Sequence, residues 1–158
     1  MNKITKIAIA LIVCLAVGYS ASTVTRPSVE TWYPTIIKPT FNPPNWIFLP
    51  VWTILYIFMA VAAGLVWDKI REQNEEVKKA LGFFLIQLTL NAIWSYIFFG
   101  LKNPMLAVIE ITLLWLMIYE TYFKFIKINK IAGYLLIPYM AWVAFAGILN
   151  ASIWWLNR

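Results

Sequence analysis

Residues 46–67, WIFLPVWTILYIFMAVAAGLVW, run for 22 positions without a charged side chain and begin and end on tryptophan. A hydrocarbon core about 30 Å thick is crossed by about 20 apolar residues in a helix. Tryptophan favours the two interfaces at its edges. The segment therefore reads as a transmembrane helix. Four more windows meet the same criterion: Ile7–Thr25 before it, and Ala80–Leu101, Pro104–Phe123 and the longer Ile131–Leu156 after it. Short loops join them, and 62% of the 158 residues are hydrophobic, with a mean hydropathy of +0.74. The expected fold is an all-α integral membrane protein: a single domain over 1–158, built as a five-transmembrane-helix bundle with little chain left for a soluble part.

Lysine and arginine fix the expected orientation, because short cytoplasmic loops carry the excess of positive charge. Lys3, Lys6, Lys69, Arg71, Lys78, Lys79, Lys124, Lys127 and Lys130 fall on one face, nine in all, and Arg26, Lys38, Lys102 and Arg158 on the other, four in all. The N-terminus is expected in the cytoplasm and the C-terminus outside the cell membrane. The net charge of +6 is then a topology signal. The basic residues sit at helix ends and form no stripe, so a nucleic-acid partner is not expected. Lys3 and Lys6 before an apolar run imitate a signal peptide. However, Ala10, Cys14, Gly18 and Ser22 recur at i+4 and form a small-residue face suited to close helix packing, so the first helix is expected to stay in the bundle.

The chain has no histidine and one cysteine, Cys14. A hydrolytic triad, a zinc site and histidine-ligated haem all lose their usual residue. Neither a metal nor a required cofactor is expected. Of the acidic residues only Glu110 and Glu120 fall within a span, Glu110 roughly 9 Å deep at 1.5 Å per residue. Glu110 is either functional or satisfied by a neighbouring helix.

Aromatic surface is what the chain has in abundance: nine Trp, eight Tyr and ten Phe. Trp46, Trp67, Trp154 and Trp155 suit an interfacial belt, whereas Trp52, Trp94, Trp115 and Trp142 fall inside spans. Gln87, Asn91 and Ser95 share one face of the third span beside Trp94; Trp142, Ala146 and Asn150 form a line on the fifth; Trp52 and Tyr56 share a face of the second. Flat aromatics with a few amides suit an apolar pocket for a flat ligand. Polar glue between helices gives the same pattern. The connection 26–45 holds five of the eight prolines. It is expected to form a stiff lid across the outer mouth. Pro138 should kink the fifth helix and free a backbone carbonyl near Trp142.

Trp32-Tyr33, Lys38-Pro39, Phe41-Asn42-Pro43-Pro44, Phe48, Pro50-Val51-Trp52 and Leu55-Tyr56 together resemble the signature of the TspO/MBR family, the translocator or tryptophan-rich sensory proteins, also called peripheral-type benzodiazepine receptors. Gln87, Leu90-Asn91, Trp94-Ser95 and Phe98-Phe99 continue the resemblance, and Pro138-Tyr139, Trp142 and Leu149-Asn150 complete it. It covers nearly the whole chain. It implies a five-helix homodimer among membrane lipids that binds porphyrins such as protoporphyrin IX and isoquinoline or benzodiazepine-type drugs. The implied ligand-binding residues are Tyr33, Pro43, Trp52, Tyr56, Asn91, Trp94, Trp142 and Ala146. The implied activity is light- and oxygen-dependent porphyrin degradation, with Trp52 and Trp142 as the participating side chains. A transporter and a non-catalytic stress sensor for tetrapyrroles or other lipophilic ligands are the alternatives. The tyrosine motif that links animal members to cholesterol is replaced here by Trp154-Trp155. Leu116, Tyr119 and Lys124 fit only a loose sterol pattern.

Overall fold

The computed structural model describes all of residues 1–158. It contains α1 (Lys3–Thr31), α2 (Asn45–Asp68), α3 (Asn74–Ser95), α4 (Pro104–Ile128), α5 (Lys130–Leu135) and α6 (Ile137–Leu156), with no strand. Five helical stretches, the fifth being α5 and α6 in series, are long and apolar enough to cross a membrane. Each carries large apolar side chains on its outer surface, Ile12, Ile54, Leu85, Leu113 and Ile148 among them. In water these would be a liability, and in a bilayer they are the lipid face.

Helix starts follow local chemistry. The Asn2 side chain accepts from Thr5 N–H at 2.8 Å, Asn103 from Leu106 N–H at 3.0 Å and Asn129 from Ala132 N–H at 3.1 Å, each satisfying a donor that the first turn leaves free. Pro104 occupies the opening turn of α4, where its missing N–H costs nothing.

Three features of the fold depart from the sequence expectations or add to them. α1 extends to Thr31, so the first connection is Trp32–Pro44 rather than 26–45. Pro27 lies inside the helix, and Thr31 Oγ1 donates to its carbonyl at 2.7 Å. Second, the third span does not end as a regular helix. Tyr96–Gly100 is a π-turn closed by Leu101 N–H to Tyr96 O at 2.8 Å, and Ser28 Oγ of α1 donates to Phe99 O at 2.6 Å. Third, the fifth span is broken rather than kinked. Pro138 has no N–H for the Tyr134 carbonyl, so the chain relaxes at Leu136 (φ −84°, ψ −13°) and restarts with Pro138 in the first turn of α6. The carbonyl that recruits a tryptophan is Met140 O, which accepts from Trp115 Nε1 of α4 at 3.1 Å.

α2 is the most enclosed helix, packed against α1, α3, α4 and α5. Met59, Ala60, Ala62 and Val66 are wholly buried. The α1–α2 contact is as close as backbones allow. A Cβ on Gly64 would stand 2.7 Å from the Ile7 Cα, and one on Gly18 would stand 2.7 Å from the Tyr56 ring. Cys14, on the same small face of α1, is fully buried. At the N-terminal end of this pair the Lys6 ammonium, itself buried, meets the Asp68 carboxylate at 2.9 Å.

Candidate ligand cavity

A cavity of about 650 Å³ lies between α1, α2, α3 and α6, toward the end of the bundle that carries the 32–44 connection. That volume is in the range of small-molecule sites. Gly18 and the α1 positions after it form one side, and Phe48, Trp52 and Tyr56 of α2 a second. Asn91, Trp94 and Phe98 form a third, and Trp142, Ala146, Leu149 and Asn150 of α6 a fourth. The cavity opens between α1 and α2, where the lining residues Tyr19, Trp46 and Leu49 are exposed.

Seven of the eight expected ligand-binding residues line it: Tyr33, Trp52, Tyr56, Asn91, Trp94, Trp142 and Ala146. Pro43 does not. It shapes the connection, which is held by other residues. Tyr33 Oη donates to Asn42 Oδ1 at 2.8 Å, Lys38 Nζ to the carbonyls of Tyr33 and Ile36, and the Asn157 amide pairs with both backbone groups of Ile37. Burial of the Tyr33 ring among Phe98, Ala107, Leu149 and Ile153 pushes its phenol up to about 12, the Asn42 contact opposing, so it stays a neutral donor.

The floor is a chain of hydrogen bonds through three helices. Tyr56 Oη donates to Asn91 Oδ1 at 2.6 Å, Asn91 Nδ2 to Tyr139 Oη at 2.8 Å, and Tyr139 Oη to Gln87 Oε1 at 2.7 Å. All four groups are buried. Asn91 is thus both a wall residue and interhelical glue, with one amide N–H left over. Tyr139 is the hub that sequence reasoning left out of the site. Its signal was a phenol in an apolar span, one turn before Trp142.

The four tryptophans inside the spans sort into two pairs. Trp94 Nε1 donates to Asn150 Oδ1 at 3.0 Å, with Asn150 in turn donating to Pro104 O at 2.9 Å, and Trp115 donates to Met140 O. Trp52 and Trp142 donate to no protein acceptor, and the Trp142 N–H is buried without one. The ring of Trp52 lies 5.9 Å from Tyr56 and 6.4 Å from Tyr139, and Trp142 meets Phe48 edge-on at 6.0 Å. Trp94 instead stacks on Phe98 at 5.1 Å. The two indoles free of structural hydrogen bonds both line the cavity, each against an aromatic ring of the other's helix.

The chain has relatives among known proteins. A family model described as the TspO/MBR family matches residues 10–156. The chain belongs to the TspO/MBR family. It is 44% identical over 158 residues to the tryptophan-rich protein TspO of Chlorobaculum tepidum, covering 99% of each chain. It is 35% identical to a tryptophan-rich sensory protein of Cereibacter sphaeroides, over 90% of this chain and 87% of that one. With the translocator protein of Bos taurus it shares 33% identity over 89% of this chain and 83% of the other. This TspO/MBR chain is therefore an integral membrane protein, and its cavity lies within the region matched by the family.

Proposed function

We propose that the protein binds flat, largely apolar tetrapyrroles, protoporphyrin IX above all, in this cavity, and that light absorbed by the bound ring drives its breakdown with oxygen as oxidant. The observation that carries the reading is the sorting of the tryptophans. Two indoles are tied into the scaffold, whereas Trp52 and Trp142 line the cavity with no structural hydrogen bond to break. The protein supplies confinement and electron-rich neighbours, and the ligand supplies the absorbed energy. Isoquinoline and benzodiazepine-type drugs, flat and apolar as well, suit the same walls.

Absorption spectra of the purified protein with protoporphyrin IX, before and after illumination in air, test this. The parent should bleach the porphyrin band in light only. Trp52→Phe and Trp142→Phe should keep binding, because ring stacking survives, and slow the bleaching. Conversion in the dark, or undiminished photoconversion in the double variant, would refute the light-driven role of Trp52 and Trp142 and leave only the binding part of the reading. The proposed orientation, N-terminus cytoplasmic and C-terminus external, rests on the nine-to-four charge asymmetry. Reporter fusions at both ends check it, and the inverse pattern refutes it.

A further inference from the structure

The cavity differs in its polar groups from end to end. At the floor, Tyr56, Asn91, Trp94 and Asn150 are hydrogen-bonded to one another, to Tyr139 or to the backbone, and the donors left over, one Asn91 amide N–H and the Trp142 indole N–H, are neutral. Along α1, Ser22 Oγ donates to Tyr19 O and Thr25 Oγ1 to Ala21 O, so these hydroxyls are also spent. A carboxylate pushed among such groups would lose its hydration and meet only neutral donors. Arg26 is the only cation among the lining residues. It is exposed at the open end, and none of the ion pairs or side-chain hydrogen bonds of the molecule involves it. The other three cations expected on this side do not line the cavity: Lys38 donates to two carbonyls of its own loop, the Arg158 guanidinium lies 3.2 Å over the Trp155 ring, and Lys102 lies elsewhere. Arg26 follows Gly18, the α1 position against the floor tyrosine, by two turns, about 12 Å along the helix axis.

We propose that Arg26 is the specificity residue for a carboxylate on the ligand, which enters the cavity ring first and leaves its acid group at the mouth. The proposal deepens the tetrapyrrole reading and rests on it for the flat ring; it adds that the preferred ligands are flat aromatic carboxylates rather than neutral flat molecules. A guanidinium is suited to this, since its planar fork meets a carboxylate through two parallel hydrogen bonds. Glu30 lines the same mouth one turn further along α1 and stands as the opposing charge. It lowers the affinity for acids and sets where along the mouth an acid group can sit.

The test uses the full chain in nanodiscs of zwitterionic lipid, so that no lipid charge competes. Four probes are titrated: protoporphyrin IX, its dimethyl ester, pyrenebutyrate and pyrenebutyrate methyl ester. Arg26→Gln should weaken both acids about fivefold, the scale of an exposed charge pair, and leave both esters within about twofold. Glu30→Gln should tighten the acids and spare the esters, and both effects should shrink as salt rises. Unchanged acid affinity in Arg26→Gln, or equal losses for acid and ester, overturns the proposal. Parent protein that binds porphyrin acid and ester equally overturns it as well, while the tetrapyrrole reading stands. Arg26-dependent preference for pyrenebutyrate over its ester, without porphyrin binding, sustains the anchor and removes the porphyrin. Binding of none of the four removes both.

Discussion

Replacing Asn91 with leucine tests whether the floor of the cavity is structural. The side chain accepts from Tyr56 Oη at 2.6 Å and donates to Tyr139 Oη at 2.8 Å, joining α3 to α2 and α6. Leucine removes both bonds but strands only one group. Tyr139 keeps its donation to Gln87 at 2.7 Å, whereas the hydroxyl of Tyr56, a buried residue, has no other acceptor. An interhelical hydrogen bond within a membrane is worth about 0.6 kcal/mol on average and about 1.7 at most. A buried hydroxyl left unpaired costs about 1–3 kcal/mol. Asn91→Leu should therefore destabilise by about 2 kcal/mol. Adding Tyr56→Phe removes the stranded hydroxyl, so the double variant should recover about 1 kcal/mol relative to the single one. Unfolding by SDS in mixed micelles, followed by circular dichroism, gives the four free energies of the cycle. Losses that simply add would refute the chain of bonds as the link between these helices.

Glycine positions give a paired contrast. Gly64→Ala should cost about 1–3 kcal/mol, because its Cβ meets the Ile7 backbone at 2.7 Å, while Gly82→Ala, with nothing within 4 Å, should be neutral or slightly stabilising in the same unfolding assay. Both carboxyl oxygens of Glu110 are buried without a partner. Glu110→Leu should therefore raise stability by about 1–3 kcal/mol, and a loss would mean that the carboxyl has a partner in the membrane-embedded protein. Ala146 is 9% exposed and lines the cavity beside Trp142. Ala146→Thr should weaken porphyrin binding with little change in melting temperature, and an equal loss of both would make it a packing residue.

Long apolar windows with few or no charges determined the number of spans and the membrane class without any tertiary information, because the bilayer imposes length and polarity on each helix separately. The i, i+4 lines also placed Gln87, Asn91, Trp52 and Tyr56 on the right faces, since helical phase is a local property. The α1 small-residue face was legible for the same reason. Where the first span ends, and that the fifth is broken rather than kinked, was not legible. Pro27 is carried within α1, whereas Pro138 coincides with a break, so proline alone does not say which. Likewise, sequence could list four tryptophans inside spans and could not sort them. Whether an indole is tied or free depends on an acceptor brought from another helix, Asn150 for Trp94 and Met140 O for Trp115. Tyr139 escaped notice as a site residue because its role is to join two residues of another helix, Asn91 and Gln87, across 48 and 52 positions of sequence. Helix identity is decided within a few turns of chain, but hydrogen-bond partnership inside a bundle is decided by packing, and only the tertiary structure contains it.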